Sequence, residues 1–195
     1  MLAPSMTVYK RKHDAIARLI HPSESVLDVG FWGQNVDKDN PAWIHSDLLR
    51  RAKKVYGLDI VFDDAQFPPP LYIKGSAESF SLPEEVDVIF AGDLIEHLSN
   101  PGLFLECAAK NLKENGRLIL STPNAFNLFV MAEKLVKPEP TVNREHTCYF
   151  NQKTLRELLS RYGFTIEEVS YVERIDALYR ESPAKKVLNI LYWIT

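Results

Sequence analysis

Five short apolar segments of this sequence each lead into a small or acidic residue. In chain order they are SVLDVG, VYGLDI, LYIKGSAE, VDVIFAGD and RLILSTPN. Such runs predict buried strands, and strands that alternate with helices predict a parallel sheet with helices on both faces. The carboxyl ends of parallel strands meet at one edge, where open sheets of this type bind ligands. The sequence therefore predicts a ligand site at the ends of these strands.

The length and composition predict one globular domain. The chain has 195 residues, of which 46% are hydrophobic and 25% are charged, which is ordinary usage for a domain with its own core. We expect an α/β fold with a doubly wound, mostly parallel sheet of six or seven strands. The predicted divisions are an N-terminal helix in 1–22, a ligand-binding core in 23–123, a helix and loop in 124–152, and a C-terminal helix, strand and apolar tail in 153–195.

Several helices are predicted between the strands. Apolar periodicity predicts a helix over Tyr9–Ile20, with Lys10–Lys12 as its solvated start. HSDLLRRAKK predicts a helix with Ser46 or Asp47 near its start, and LFLECAAKNLKENG predicts one closed at Gly116. AFNLFVMAEKLVK predicts a further helix. The apolar tail is expected to be a helix that starts at SPAKKV, with a seventh strand as the alternative.

Charge, cysteine content and the apolar segments indicate which partners and which compartment the chain is expected to have. The net charge is −3 and the pI is about 6.0, so no overall basic field attracts nucleic acid. Two cysteines, Cys107 and Cys148, form no disulfide framework. MLAPSMTVYKRKHD has no apolar core of a signal peptide, and VLNILYWIT is too short to span a bilayer. We expect a cytoplasmic protein without a transmembrane segment.

In this order and spacing the segments resemble class I S-adenosylmethionine-dependent methyltransferases, particularly the small-molecule group that includes ubiquinone-biosynthesis O-methyltransferases. VLDVG is similar to the first motif, GSAESF to the adenine loop, VDVIFAGDLIEHL to the fourth-strand motif, and EHTCYFNQKTLRELLSRYGF to a downstream stretch. The resemblance implies a Rossmann-like fold and S-adenosylmethionine as cofactor. It also implies methyl transfer to a small acceptor, which we expect to be a hydroxyl group.

The resemblance further implies which residues contact the cofactor. Asp59 would accept both ribose hydroxyls, because a carboxylate has two acceptor oxygens. Gly30 would let the backbone pass close to the methionine part. The expected cofactor-binding residues are Asp28, Gly30, Phe31, Trp32, Gly33, Asp59, Ile60, Ala77, Glu78, Ala91, Gly92 and Asp93. Capping of a strand end is the alternative role for Asp28 and Asp59.

The first motif departs from the family pattern. Trp32 and Gln34 stand where a Gly-x-Gly-x-Gly run has its second and third glycines, unless Gly33 is the second glycine displaced by one inserted residue. Asp59 lies 29 positions (59 − 30) after Gly30, whereas the acidic residue of a dinucleotide fold follows at about 20. The enlarged loop and missing glycines favour S-adenosylmethionine over NAD, since close approach of a pyrophosphate needs those glycines. Trp32 is predicted either to line the cofactor pocket or to pack beneath the enlarged loop.

O-methylation also needs a group that takes the hydroxyl proton. Asp93, Glu96 and His97 are spaced i, i+3 and i+4, which predicts one face of a helix. His146 follows the fifth strand and should lie near the same edge. We expect His97 or His146 to act as the general base.

A divalent metal is the alternative role for this group. Two carboxylates and two imidazoles are a suitable ligand set, and Asp93, Glu96, His97 and His146 resemble the ligands of methyltransferases that act on the 3′-terminal ribose of small RNAs. Asp93 replaces a usual Glu there. The lack of a basic strip in the sequence argues against an RNA acceptor. A further alternative is that these residues have only a structural role and bind no metal. Another is that the chain is a non-catalytic binding or scaffold protein with a methyltransferase-like fold.

An acceptor pocket is predicted near these residues. Its aromatic candidates are Phe31, Trp32, Trp43, Phe126, Phe129 and Tyr149, and its polar candidates are Asn124, Asn127 and Arg144. Core packing is the alternative role of each aromatic residue. The sequence does not define the oligomeric state.

Overall fold

The computed structural model describes residues 7–33, 43–126, 134–135, 138, 143–173 and 190–194. The strands are β1 (Thr7–Tyr9), β2 (Ser25–Val29), β3 (Lys54–Asp59), β4 (Tyr72–Lys74), β5 (Val86–Gly92), β6 (Leu112–Pro123), β7 (Val169–Glu173) and β8 (Ile190–Ile194). The helices are α1 (Lys12–Leu19), α2 (Ile44–Arg51), α3 (Pro101–Asn111) and α4 (Gln152–Arg161), and Ile95–His97 forms a short 3₁₀ turn.

All eight strands belong to one sheet, in the order β1-β7-β8-β6-β5-β2-β3-β4. Only β8 is antiparallel to its neighbours among these strands. The chain runs from β2 outward to β4 and returns to place β5 on the other side of β2. The carboxyl ends of β2 and β5 therefore flank the reversal in strand order where open sheets bind ligands. The predicted α/β class with a doubly wound, mostly parallel sheet is confirmed.

Hydrophobic clusters cover both faces of the sheet. On one face, α1 and α2 pack through Ile16 and Leu48 against alternate strand residues such as Val26 and Val88. On the other face, Phe104 of α3 and Leu155 of α4 contribute to the larger cluster. Residues 26–29 of β2 are all buried, as expected for a strand covered by helices on both sides.

The expectation of a helix over Tyr9–Ile20 is wrong at its start. Thr7–Tyr9 pairs with β7 as an additional parallel edge strand, and the helix begins at Lys12. The Arg18 guanidinium donates to the Tyr9 hydroxyl at 2.7 Å and to the Glu168 carboxylate. These contacts tie the end of α1 to the edge of the sheet, and three residues of sequence carry too little periodicity to predict such a strand.

Two other predicted helix boundaries also differ. α3 ends at Asn111 rather than Gly116, and β6 begins at the next residue, Leu112; Asn115, within β6, has a positive φ of 62°. Trp43 occupies the N-cap position of α2 and makes no side-chain cap. The Asp47 carboxylate instead binds His13 of α1 and Arg50, so it joins α1 to α2.

The apolar tail forms a strand where it is described. Residues 190–194 lie antiparallel between β6 and β7, so the alternative seventh strand was the correct prediction for them. The expected helix start at Ser182 and most of the helix predicted from Ala125 to Lys137 lie outside the described residues. No described helix has the length and apolar content that a membrane crossing requires.

An aromatic cluster lies beside the carboxyl ends of β2 and β3. Its members are Phe31, Trp32, Trp43, Phe62, Phe67 and Tyr72. The Phe31 ring lies 5.0 to 5.2 Å from the rings of His45, Phe62, Phe67 and Tyr72. The cluster packs directly on the bare backbone of Gly57 in β3.

Gly57→Ala tests this close packing. Alanine normally stabilises a strand relative to glycine, but a Cβ at this position would lie 2.7 Å from Tyr72 Cδ1 and 2.8 Å from Phe31 Cδ1. We expect the free energy of unfolding, measured by urea denaturation, to fall by about 1–3 kcal/mol, the usual cost of overpacking a core. Gly75→Ala is the matched control, because its nearest contact would be an ordinary 3.6 Å. A Gly57→Ala variant as stable as the wild type would contradict the described packing.

Candidate active site

The turn after β2 faces the end of β5. Gly30 has a φ of +78° and Gly33 a φ of +58°, backbone conformations that favour glycine. The amide of Gly30 donates to the carbonyl of Leu58 at 2.8 Å, which ties the turn to β3. A Cβ on Gly30 would lie 3.3 Å from Leu94 Cδ1 just beyond β5. The turn and the start of the DLIEHL segment are therefore in close contact.

Asp59 holds this turn from the end of β3. One of its carboxylate oxygens accepts from the amides of Trp32 at 3.0 Å and Gly33 at 3.4 Å, and the other accepts from the amide of Val61 at 3.2 Å. Each carboxylate oxygen has more than one acceptor site, so these bonds leave capacity for a further donor. Binding of the ribose hydroxyls by Asp59 stays a prediction.

The residues expected to meet adenine lie beyond Asp59. The Ile60 side chain is 68% exposed and Ala77 is buried. The Glu78 carboxylate accepts from the amide of Asn100 at 2.8 Å, directly before α3. This bond gives Glu78 a structural role that the sequence pattern did not indicate.

Asp28 belongs to a buried hydrogen-bonded chain. Its carboxylate is 2.8 Å from His45 Nδ1, and His45 Nε2 is 3.2 Å from the Tyr72 hydroxyl. Burial is the largest influence on the pKa of Asp28 and raises it, although the His45 contact acts in the opposite direction. His45 and Tyr72 were not predicted as site residues. The only signal was that His45 lies three positions before Leu48 on the buried face of α2.

The Trp32 ring lies against the aromatic cluster. Its centroid is 5.0 Å from that of Phe67 and 5.8 Å from that of Trp43. Of the two predicted roles of Trp32, this contact favours packing within the extended segment. Residues 34–42 of the enlarged loop lie outside the described part of the chain.

Asp93 follows β5 and pairs with residues that the sequence did not predict. It has a φ of +51°, and its carboxylate accepts from the Ser121 hydroxyl at 3.0 Å and pairs with the ammonium of Lys12. The prediction that Asp93 shares a helical face with Glu96 and His97 is wrong, because DLIEHL forms a 3₁₀ turn over Ile95–His97 instead of an α-helix. Lys12, expected to be solvated, therefore crosses to the sheet edge.

Glu96, His97 and His146 come together at this edge. One ligand atom from each of the three side chains lies within 4.8 Å of the others. The two imidazole rings are 4.7 Å apart and nearly perpendicular, and the Tyr149 ring is 6.0 Å from that of His146. The structure thus assembles three of the four predicted residues into one cluster of an acid and two imidazoles.

Glu96 is the buried member of this cluster, with 1% of its surface exposed. Among the described residues, neither of its carboxylate oxygens has a hydrogen-bond partner. Burial, with the neighbouring Asp93 charge, raises the pKa of Glu96 to about 7. The Thr122 hydroxyl lies near and opposes this shift in pKa, but its geometry does not complete a hydrogen bond. An unpartnered acid beside two imidazoles can exchange a proton with them or ligate a cation.

Backbone contacts fix His146 in this cluster. The carbonyl of Glu96 accepts from the amide of Thr147 at 2.8 Å and from the amide of Cys148 at 3.3 Å. The Thr147 hydroxyl lies 2.5 Å from the carbonyl of Leu98. The segment after His146 is therefore bonded to the 3₁₀ turn that carries His97, which explains how residues about fifty positions apart meet.

The other predicted acceptor residues are only partly described. Phe126 and Tyr149 are 63% and 53% exposed. The amide of Ala125 donates to the carbonyl of Phe150 at 3.0 Å, which brings these two segments side by side. Asn127 and Phe129 lie outside the described residues. A separate cavity of about 460 Å³ lies between β6 and α4 and shares no lining residue with the acid and imidazole cluster.

A family model described as "Methyltransferase domain" matches residues 7–169 of the chain. A mitochondrial ubiquinone biosynthesis O-methyltransferase of Schizosaccharomyces pombe is 24% identical over 156 residues, which cover 75% of this chain and 57% of the relative. A probable S-adenosylmethionine-dependent methyltransferase of Mycolicibacterium smegmatis is 28% identical over 167 residues, covering 81% of this chain and 60% of the relative. The chain spans less than two thirds of the length of either relative.

Solved structures have the same fold. A SAM dependent methyltransferase from Archaeoglobus fulgidus is similar with a TM-score of 0.61 and 17% identity, over 94% of this chain and 91% of that one. A 1,6-didemethyltoxoflavin-N1-methyltransferase from Burkholderia thailandensis, with bound 1,6-didemethyltoxoflavin and S-adenosylhomocysteine, has a TM-score of 0.63 and 18% identity, over 95% and 76%. The family match and the shared fold confirm the resemblance that the sequence predicted.

Glu96→Gln tests the environment of the buried acid. A raised pKa means that Glu96 contributes stability fully below its ordinary 4.5 and loses that contribution as the pH rises through about 7. Relative to the wild type, the free energy of unfolding of the Gln variant should rise little at pH 4.5. Above pH 7 it should rise by on the order of 3 kcal/mol, at about 1.4 kcal/mol per pKa unit. Urea denaturation in the presence of EDTA measures the difference. Exposed Glu106 provides the control variant Glu106→Gln, and an equal effect of Glu96→Gln at both pH values would contradict the raised pKa.

Proposed function

Because this chain belongs to the methyltransferase domain family, we propose that it transfers the methyl group of S-adenosylmethionine to a hydroxyl of a small acceptor. The observation that carries this proposal is the cluster of Glu96, His97 and His146 at the carboxyl edge of the sheet. An imidazole pair beside the end of β5 supplies the proton acceptor that O-methylation requires.

The curated relatives support oxygen as the acceptor atom. The relative from Schizosaccharomyces pombe is named as an O-methyltransferase, and a mouse ubiquinone biosynthesis O-methyltransferase is 25% identical over 164 residues. The toxoflavin-related N1-methyltransferase has the same fold, so the fold alone does not select the acceptor atom. The residues at the sheet edge must make that selection.

The proposed reaction is a displacement at the methyl carbon. The acceptor oxygen forms a bond to this carbon while the bond to the sulfonium sulfur breaks, and the sulfur keeps the electron pair as S-adenosylhomocysteine forms. The hydroxyl proton passes to a ring nitrogen of His97 or His146. Alignment requires the oxygen about 3 Å from the methyl carbon. When Glu96 is ionised, its charge favours the imidazolium that results.

The surroundings of the imidazole pair favour a small acceptor with an apolar part. The exposed Tyr149 ring adjoins His146. The exposed Phe126, with Asn124 and Arg144 as polar candidates, lies on the neighbouring segments. Aromatic rings with a few polar groups are typical of small-molecule sites. We propose the cytoplasm as the compartment, on the basis of two free cysteines.

A divalent cation is the second candidate at the same cluster. The two buried, unpartnered oxygens of Glu96 and the imidazoles of His97 and His146 fit the donor set that such a cation takes. When bound, it would lower the pKa of an acceptor hydroxyl. Asp93 is engaged by Lys12 and Ser121 and would not be needed as a ligand. An RNA acceptor and a non-catalytic scaffold remain alternative predictions.

His97→Ala and His146→Ala test the proposed base. We expect turnover to fall about 10²- to 10⁴-fold for whichever histidine takes the proton, while calorimetry finds S-adenosylhomocysteine binding unchanged. Turnover is measured as S-adenosylhomocysteine release with a panel of phenols, catechols and sugars. Exposed His21 provides the control variant His21→Ala. Full turnover in both active-site variants would refute the catalytic proposal, and no binding of either cofactor form by the wild type at millimolar concentration would favour a scaffold.

Chelation separates the two candidate mechanisms. If an imidazole alone takes the proton, turnover should stay within twofold of its starting value after dialysis against EDTA. If the cluster holds a cation, EDTA should abolish turnover and Mn²⁺ should restore it. Calorimetric titration of Mn²⁺ into the wild type and Glu96→Gln locates the site, because only a cation at this cluster loses affinity in the variant.

A further inference from the structure

We infer that His45 is a positioning residue for the cofactor turn. Its imidazole holds the carboxylate of Asp28 beside Gly30, and this contact sets the affinity for S-adenosylmethionine. The inference rests on the proposed function, since it concerns how the same domain binds its cofactor. His45 lies after the enlarged loop and is not among the residues that the family resemblance implied.

Three elements meet at His45. Asp28 is in β2, His45 is at the start of α2, and Tyr72 begins β4. His45 has no exposed surface and Asp28 is only 4% exposed. The distances of 2.8 Å from Nδ1 to Asp28 and 3.2 Å from Nε2 to Tyr72 are both within hydrogen-bond range. The side chains thus form one continuous chain across the elements that border the turn.

The chemistry of the three groups fixes the direction of the central bond. An ionised carboxylate can only accept, so Nδ1 of His45 carries a hydrogen and donates to Asp28. In the neutral imidazole, Nε2 then accepts from the Tyr72 hydroxyl. This arrangement satisfies the buried Asp28 and His45 and the half-buried Tyr72 hydroxyl, which removes the cost of burying the first two unpaired.

His45 also contacts the turn itself. Its ring centroid is 5.0 Å from that of Phe31 and 5.1 Å from that of Trp43. The indole of Trp43 donates to the carbonyl of Phe31 at 2.6 Å. The residue next to Gly30 is therefore held through its ring by His45 and through its backbone by Trp43. These side-chain contacts fix a turn that lacks a run of three alternating glycines.

The charge of Asp28 gives the chain its functional consequence. Both the ammonium and the sulfonium of S-adenosylmethionine are positive, so a nearby carboxylate favours binding only when it is ionised. Burial raises the pKa of Asp28, the adjacent Asp59 raises it further, and the hydrogen bond from His45 lowers it. Facing Asp28 are thus His45 from α2 and Asp59 from β3, with Tyr72 of β4 behind His45. Loss of the His45 donor removes the contact that lowers the pKa of Asp28 and so favours its ionised form.

Two amide substitutions separate this role from simple core packing. His45→Asn places its amide near the position of Nδ1 and keeps a donor for Asp28. His45→Gln places its amide near Nε2 and loses that donor. Both remove the aromatic ring, so we expect similar decreases in melting temperature. Tyr72→Phe removes only the far hydroxyl and leaves the Asp28 contact intact.

Calorimetric titration with S-adenosylhomocysteine measures the outcome on the folded full chain. We expect His45→Asn and Tyr72→Phe to bind within about threefold of the wild type, and His45→Gln to bind at least tenfold more weakly at pH 7. The affinity of His45→Gln should also increase more with rising pH than that of the wild type, because loss of the donor moves the ionisation of Asp28 to higher pH.

Equal binding by His45→Gln and the wild type, despite a lower melting temperature, would overturn the inference while leaving the proposed function intact. A tenfold loss in Tyr72→Phe would also overturn it, because this variant keeps the Asp28 contact and affinity would then depend on another feature of the cluster. This second variant keeps the test decisive if His45→Gln does not fold. Absence of binding by the wild type itself would refute the proposed function and the inference together.

Discussion

The parallel pairing of β2 with both β3 and β5 is the constraint on which the rest of the site depends. Val29 is opposite Leu58 on one side and Ala91 on the other, so the three strands end at nearly the same height. Because the chain reverses its strand order at β2, no crossover connection covers the space beyond these ends. Gly30, Asp59 and Asp93 are thereby brought to one edge from positions far apart in sequence.

The register also explains what could be predicted from the sequence. The alternation of strands and helices along the sequence indicates which residues end each strand. The sequence alone therefore places Asp28, Asp59 and Gly92 at one edge of the sheet. The prediction failed where contacts depend on packing between separate elements. His45, Tyr72 and Lys12 reach the edge from α2, β4 and α1, and periodicity says nothing about which strand end each will contact. Asp93 pairs with Lys12 and Ser121, and an i, i+3, i+4 pattern gives no warning of a 3₁₀ turn.

In the altered first motif, side-chain contacts hold the turn in place of the missing glycines. A glycine-rich turn is held open mainly because nothing occupies the space of its side chains. In this chain Phe31 and Trp32 instead point into an aromatic cluster with Trp43 and Phe67, and Asp59 bonds the amides of the turn from the opposite side. Packing inside the extended segment thus removes bulky side chains from the sheet edge. The departure from the glycine pattern is a change in how the turn is supported.

Two buried acids at this edge, Asp28 and Glu96, have opposite environments. The contrast distinguishes an acid that supports the turn from one that is available for chemistry. Asp28 has an imidazole partner within 2.8 Å, so its burial is compensated and its position is fixed. Among the described residues, Glu96 has no hydrogen-bond partner for either oxygen, although two imidazoles lie close to it. A fold gains nothing in stability from an uncompensated buried acid. Such an arrangement persists where a proton or a cation completes it during function, which is why the end of β5, rather than the end of β2, is the place to look for the reacting groups.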